Sequence, residues 1–157
     1  MDFEIIKTDS KNTDFLELIK LLDEGLVERY GELQKQYDKH NKVDFIKDVI
    51  ILYKDGQPAA CGAYKEFDSC SAEIKRIFVK PEYRNNGLAM LIVNGLEELV
   101  RSHNYKYAIL ETGIKQHEAI NLYKKMGYAM TENYGPYIGN SNSVCMKKVL
   151  QDNHLII

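Results

Sequence analysis

The sequence predicts one α/β domain over residues 1–157, antiparallel at its start and βαβ-like in its second half. Three observations carry this expectation. A chain of 157 residues with 45% apolar and 28% charged side chains can build a single sizeable core without staples. Near Asp48 the apolar period changes from that of a helix to that of strands. Beyond Pro81, helix-like and strand-like segments alternate.

The elements follow in order. Residues 3–7 read as a short apolar strand. In residues 13–30, Phe15, Leu18, Ile19, Leu22, Leu26 and Val27 recur at helical spacing, with Thr13 placed as the N-cap. Gly31 interrupts this helix, and residues 32–40 read as a second, more polar helix carrying Tyr37. The run Val49-Ile50-Ile51-Leu52-Tyr53, the turn signal Asp55-Gly56-Gln57-Pro58 and residues 59–67 predict a β-hairpin. A second polar turn, Asp68-Ser69-Cys70-Ser71, leads into a strand at 73–79 and completes a meander. Residues 88–103 place Leu91, Ile92, Leu96, Leu99 and Val100 on one face, a helix packed on a sheet. A strand is expected at 107–112, a short helix at 116–126 with Gly127 as its C′ residue, and closing strands at 128–131 and 143–149.

Composition excludes several classes. No apolar run approaches the ~20 residues of a spanning helix, and the acidic opening Met1-Asp2-Phe3-Glu4 does not suit a secretory leader. Membrane insertion is therefore not expected. Cys61, Cys70 and Cys145 form no Cys-x-x-Cys pair, so neither disulfides nor a metal site is expected, and reduced thiols suit a cytoplasmic protein. A net charge of −2 argues against an extended nucleic-acid surface. The charge is nonetheless divided, with nine basic and thirteen acidic residues in 1–60 against twelve and ten in 61–157.

The informative junction is strand, Arg-x-x-Gly-x-Ala, helix, at Val79 to Ala89. A helix start exposes unpaired N–H groups and a partial positive charge, and small residues there let the backbone wrap an anion. Lys75, Arg76, Lys80 and Arg84 cluster around it. A phosphate-bearing ligand suits such a place. No Gly-x-x-x-x-Gly-Lys-[Ser/Thr] exists and no Gly-x-Gly-x-x-Gly follows a strand, which removes nucleotide-hydrolase and dinucleotide readings.

This junction, followed by Gln116-His117-Glu118-Ala119-Ile120-Asn121-Leu122-Tyr123-Lys124-Lys125-Met126-Gly127-Tyr128, resembles the two cofactor motifs of the GNAT superfamily of acyl-CoA N-acyltransferases. The resemblance implies an α+β fold, a mixed, mostly antiparallel central sheet flanked by about four helices. It implies acetyl-CoA as acyl donor, with Arg84, Asn85, Asn86, Gly87, Leu88 and Ala89 around the pyrophosphate. Ile77, Phe78 and Val79 would offer main-chain bonds to the pantetheine arm and an N–H to the thioester oxygen. Tyr123 matches the family's proton donor to the departing thiolate. Gln116 stands where the family commonly has asparagine, with Asn121 as a neighbouring amide and Lys124 adding positive charge.

An alkyl amine with a pKa of ~10.4 is mostly protonated at neutral pH, so direct transfer calls for a base. Glu111 and Glu73 are the candidates. Glu111 ends a strand and stands twelve residues before Tyr123, the spacing of a catalytic glutamate in the superfamily's ribosomal-protein N-terminal acetyltransferases. Alternation places Glu73 on the face of Ile77 and Val79 unless a bulge intervenes. The long loop at 134–143 resembles that of a bacterial subgroup and offers Tyr134 and Tyr137 as acceptor contacts, with Tyr30 and Tyr37 facing them. The expected acceptor is a small-molecule, amino-acid or peptide amine, and the edge strands after Tyr128 offer a homodimer surface. A non-catalytic acyl-CoA sensor is the alternative reading.

Overall fold

A computed structural model describes residues 3–30 and 46–150. The helix expected at 32–40, with Tyr37, lies outside the described residues. The order is β1 (Phe3–Thr8), α1 (Thr13–Tyr30), β2 (Ile46–Lys54), β3 (Gln57–Glu66), β4 (Ser71–Val79), a 3-10 turn (Pro81–Tyr83), α2 (Leu88–Ser102), β5 (Tyr107–Gly113), α3 (His117–Lys125), β6 (Ala129–Thr131), a second 3-10 turn (Gly135–Tyr137) and β7 (Ser143–Val149). The strands form one sheet in the order β1-β2-β3-β4-β5-β7-β6. Every neighbouring pair is antiparallel except β4 and β5. The mixed, mostly antiparallel sheet is as expected, with three helices described where about four were expected.

Local chemistry explains the connections. Asp55 and Gly56 both have positive φ, 50° and 80°, the pairing a tight hairpin turn demands. Asn12, rather than Thr13, caps α1, its Oδ1 accepting from the N–H groups of Asp14 and Phe15. The sheet then carries two cores. Phe15, Leu18 and Ile19 of α1 pack on Val49, Ile51, Cys61, Ala63 and Phe78. On the opposite face α2 brings Leu88, Ile92, Val93, Leu96 and Val100 against Ile50, Leu52, Ala60 and Ile74, with Tyr123 of α3 in the same cluster. Leu91 was expected on the buried face but is 41% exposed, because the buried stripe centres on Ile92 and Leu96 and takes in Val93 instead.

Two irregularities shape the site. Cys61 pairs with Phe78 but Ala63 pairs with Lys75, so β4 spends one residue more than β3. This is a β-bulge, and Arg76 within it has φ 60°. The bulge reverses the alternation downstream: Ala72, Ile74, Ile77 and Val79 join the α2 face, while Phe78 joins the α1 face. Glu73 therefore lies on the face opposite Ile77 and Val79, which corrects the simple alternation. Secondly, the parallel pairing runs only from Ser71↔Tyr107 to Ile74↔Leu110. Beyond it β4 and β5 diverge.

Candidate active site

The divergence opens a cavity of about 290 Å³. Residues 74–79 of β4 and 110–113 of β5 form two walls, Leu22 and Leu26 of α1 a third, and Gln116, Glu118, Ala119 and Tyr123 the α3 side, with Arg84 at the rim. Strand ends that separate leave backbone groups facing a gap, and such groups need polar partners. A ligand with amides along its length would supply them.

At the rim, the loop before α2 is curled by two left-handed residues, Asn85 (φ 66°) and Gly87 (φ 74°), with Gly87 as the N-cap. No acidic residue sits in the first turn of α2, so its N–H groups keep their positive character. Arg84 folds back on the strand: its Nε donates to the Val79 carbonyl at 2.9 Å, and its guanidinium lies 5.9 Å from the centre of the Phe78 ring. The Asn86 side chain donates to the Tyr83 and Arg84 carbonyls and fixes the loop. Leu88, the first residue of α2, is buried in the core on the sheet, whereas Arg84, Asn85, Asn86 and Gly87 are exposed and Ala89 is half-buried.

Of the residues expected to meet the donor, Ile77, Phe78, Val79, Arg84, Gln116 and Tyr123 line the cavity. Gln116 is the N-cap of α3. Asn121 and Lys124 lie on the exposed side of α3, away from the cavity wall. Tyr123 is 7% exposed and packs edge-on against Tyr128 at 5.7 Å. Burial pushes its pKa well above the usual phenol value, so its hydroxyl stays protonated at neutral pH. Tyr128 is anchored in turn by donating to the buried Glu97 at 2.8 Å, and Lys148 donates to the same carboxylate at 2.9 Å.

A polar cluster covers the α1 face of the sheet where the strands part. Glu111 lines the cavity, and its Oε2 accepts a 2.6 Å hydrogen bond from Ser143 Oγ. Burial raises the Glu111 pKa, and nearby Glu73 adds to this, while Ser143 and Lys75 work against it. Lys75 also lines the cavity, and burial lowers its pKa, with Glu73 opposing. Its amine donates to the Tyr137 hydroxyl at 3.3 Å and stands 3.7 Å from Glu73. Glu73 is 3% exposed, does not line the cavity, and accepts from Tyr134 OH at 2.7 Å. Tyr134 and Tyr137 thus turn toward Glu73 and Lys75 and stay out of the cavity wall. The side chain of Tyr30 and all of Tyr37 lie outside the described residues.

Sequence reasoning did not place Ser143 at the site, nor find the cavity-lining role of Leu22 and Leu26 or the Arg76 contact with Asp23 at 2.8 Å. Ser143 comes to Glu111 only through β5–β7 pairing, across 32 positions, and no local pattern signals it. Leu22 and Leu26 were legible as one helical face. Among the described residues no three His, Cys, Asp or Glu side chains are placed to hold a metal, and no helix is long and apolar enough to cross a membrane.

The chain is similar to known proteins. An IAA acetyltransferase of Azospirillum brasilense is 30% identical over 102 residues, 64% of this chain and 67% of that protein. A Bacillus subtilis protein named as a candidate ribosomal protein bS18 alanine N-acetyltransferase is 34% identical over 79 residues, 50% of this chain and 51% of that one. The crystal structure of a candidate acyl-CoA N-acyltransferase from Klebsiella pneumoniae superposes with a TM-score of 0.80 at 27% identity, covering 95% of this chain and 98% of that one. The model of the acetyltransferase (GNAT) family matches residues 15–128, which hold the bulged strand, the Arg84–Ala89 loop and Tyr123. With these matches, the chain belongs to the GNAT acetyltransferase family.

Proposed function

We propose that this protein transfers an acetyl group from acetyl-CoA directly to a primary amine of a small molecule, an amino acid or a peptide. One observation carries the reading: Glu111 and Tyr123 line the same cavity, at the point where β4 and β5 part. The donor fits this chain's own features. The α2 start with its curled loop suits a pyrophosphate, the open edge of β4 beyond Ile74 suits the amides of a pantetheine arm, and the cavity is of a size to suit the thioester end with a small amine.

When bound, acetyl-CoA supplies an activated acetyl group and a leaving thiolate. The chain supplies the rest. An amine with a lysine-like pKa of ~10.4 is free base in only about one part in a few thousand at pH 7, a deficit of ~4 to 5 kcal/mol. Glu111, whose proton affinity is raised by burial, takes the proton the amine must lose. A main-chain N–H among residues 77–79 faces the carbonyl oxygen as it gains charge, a contact worth roughly 3 kcal/mol. Tyr123, held protonated by burial, gives its hydroxyl proton to the departing sulfur. Leu22 and Leu26 give the cavity an apolar wall on the α1 side.

The test is thiol release from acetyl-CoA over a panel of amino acids, polyamines, aminoglycosides and peptides, beside thermal unfolding with the donor. Donor at a hundred times its Kd adds about 2.7 kcal/mol of stability. Stabilisation together with amine-dependent thiol release is expected. An unfolding temperature unmoved by millimolar acetyl-CoA contradicts the reading.

A further inference from the structure

We propose that Ser143 is a positioning residue of this site, its hydroxyl holding the Glu111 carboxylate ionised and turned so that one oxygen faces the incoming amine. The proposal rests on Glu111 being the base. It assigns a task at the base to the end of the 134–143 loop, apart from the acceptor contacts expected of Tyr134 and Tyr137.

The placement is built from several directions. Glu111 and Ser143 stand on the same face of adjacent strands, in the paired positions Glu111↔Cys145 and Gly113↔Ser143. The residue directly opposite Ser143 is a glycine, so no side chain separates the hydroxyl from the carboxylate on the diagonal. The bond is short, 2.6 Å, as expected for a hydroxyl on a charged oxygen. It engages Oε2. Among the described residues Oε1 takes no hydrogen bond, and Glu111 lines the cavity.

Ser143 is itself held. Its N–H donates to the Asn140 carbonyl at 3.1 Å, and the Ile114 N–H donates to the Asn142 carbonyl at 2.9 Å. The Asn133 side-chain amide lies within reach of three carbonyls, those of Tyr137, Asn140 and Ser143, at 3.0, 2.9 and 3.3 Å. The Asn142 N–H donates to Asn140 Oδ1 at 2.9 Å. A loop this closely tied fixes the backbone from which the hydroxyl projects, and Ser143 is 7% exposed.

The other groups around Glu111 explain why a donor is needed. Glu73 and Lys75 face it from β4, Cys145 from β7, and the Arg76–Asp23 pair lies toward α1. Glu73 opposes ionisation of Glu111, while Lys75 favours it but is shared with Glu73 and Tyr137. Ser143 is the group bonded directly to the carboxylate.

The test reads Glu111 itself. Protein carrying glutamate 13C-labelled at the side-chain carboxyl is titrated by NMR, the Glu111 resonance being the one lost in Glu111→Gln. In Ser143→Ala the Glu111 midpoint should rise by about one to two pH units, the worth of one hydrogen bond to a charged acceptor. Ser143→Thr should restore the wild-type midpoint, and the near-isosteric Ser143→Cys, a weak donor, should fall between. The acidic limb of kcat/KM, measured with acetyl-CoA and the amine active in thiol release, should move with the midpoint. It should vanish in Glu111→Gln, with no further effect of Ser143→Ala in that background. An unchanged midpoint in folded Ser143→Ala or Ser143→Cys overturns the role of Ser143. A midpoint that moves while the rate limb stays, or a limb that survives Glu111→Gln, overturns Glu111 as the base and the catalytic part of the proposal with it.

Discussion

Gly62 shows how the fold constrains the site. It lies on β3 opposite the β4 bulge, between the pairs Cys61↔Phe78 and Ala63↔Lys75, and α2 passes directly over it. A Cβ added there would meet Ile92 Cγ2 most closely, with Ile77 Cδ1 at 2.6 Å and Leu96 Cδ1 at 2.9 Å. Carbon atoms pack at about 3.5–4.0 Å, so three side chains must move by several tenths of an ångström or more. Ile92 and Leu96 are fully buried and have nowhere to go. Gly62→Ala should therefore cost about 1–3 kcal/mol, the usual range for overpacking. For a domain of this size that corresponds to a fall of about 2–12 °C in Tm. Ile77 gives way most readily, and it belongs to the strand end proposed to hold the thioester, so the KM for acetyl-CoA should rise as well. The assays are thermal unfolding and donor titration. A variant within about 0.5 kcal/mol of wild type, as for an ordinary surface change, would refute the claim that α2 sits on the bulged strand through this glycine.

Two further substitutions separate stability from chemistry. Gly87→Ala meets no atom within 4 Å, so its cost comes only from φ 74° and should be about 1–2 kcal/mol, with weaker acetyl-CoA binding measured by calorimetry; undiminished stability would contradict the loop geometry. Glu111→Gln should slow acetyl transfer by roughly 10²–10⁴ while raising stability at neutral pH. The sign follows from the raised folded pKa of Glu111: the native state keeps its proton more tightly, so the stability this group contributes is present at acid pH and is lost as pH rises through the folded pKa. The stabilising effect of Gln, read from thermal unfolding across pH, should therefore be present at pH 7 and disappear below about pH 4; equal stability at both would contradict a desolvated carboxylate.

The meander was legible because its turns carry their own chemistry. Asp55-Gly56 supplies the two positive φ angles, and in the second turn Asp68 Oδ1 accepts from the Cys70 and Ser71 N–H groups. The donor loop was legible for the same reason, since Gly87 stands where the backbone turns left-handed before a helix. The bulge at Lys75–Arg76 was not. Inserting one residue changes the face of every later side chain but leaves no mark in a run that mixes charged and apolar residues, Glu73-Ile74-Lys75-Arg76-Ile77. Glu97 was hidden differently: it lies in the apolar stripe of α2 and is fully buried, made tolerable by Tyr128, Lys148 and Arg101 from other turns and strands. The carboxylate cluster depends on β4, β5 and β7 lying side by side, and a strand order with a crossover cannot be read from local spacing.

The Tyr123 hydroxyl has a step in transfer, protonation of the departing sulfur, that donor binding does not share. Tyr123→Phe keeps the ring that packs on Tyr128 and removes only the proton donor. Thiol release from acetyl-CoA should fall by roughly 10²–10⁴, while thermal stabilisation by the same donor stays at the wild-type value. A Tyr123→Phe protein that binds acetyl-CoA normally and releases thiol to the amine at the wild-type rate would contradict that step.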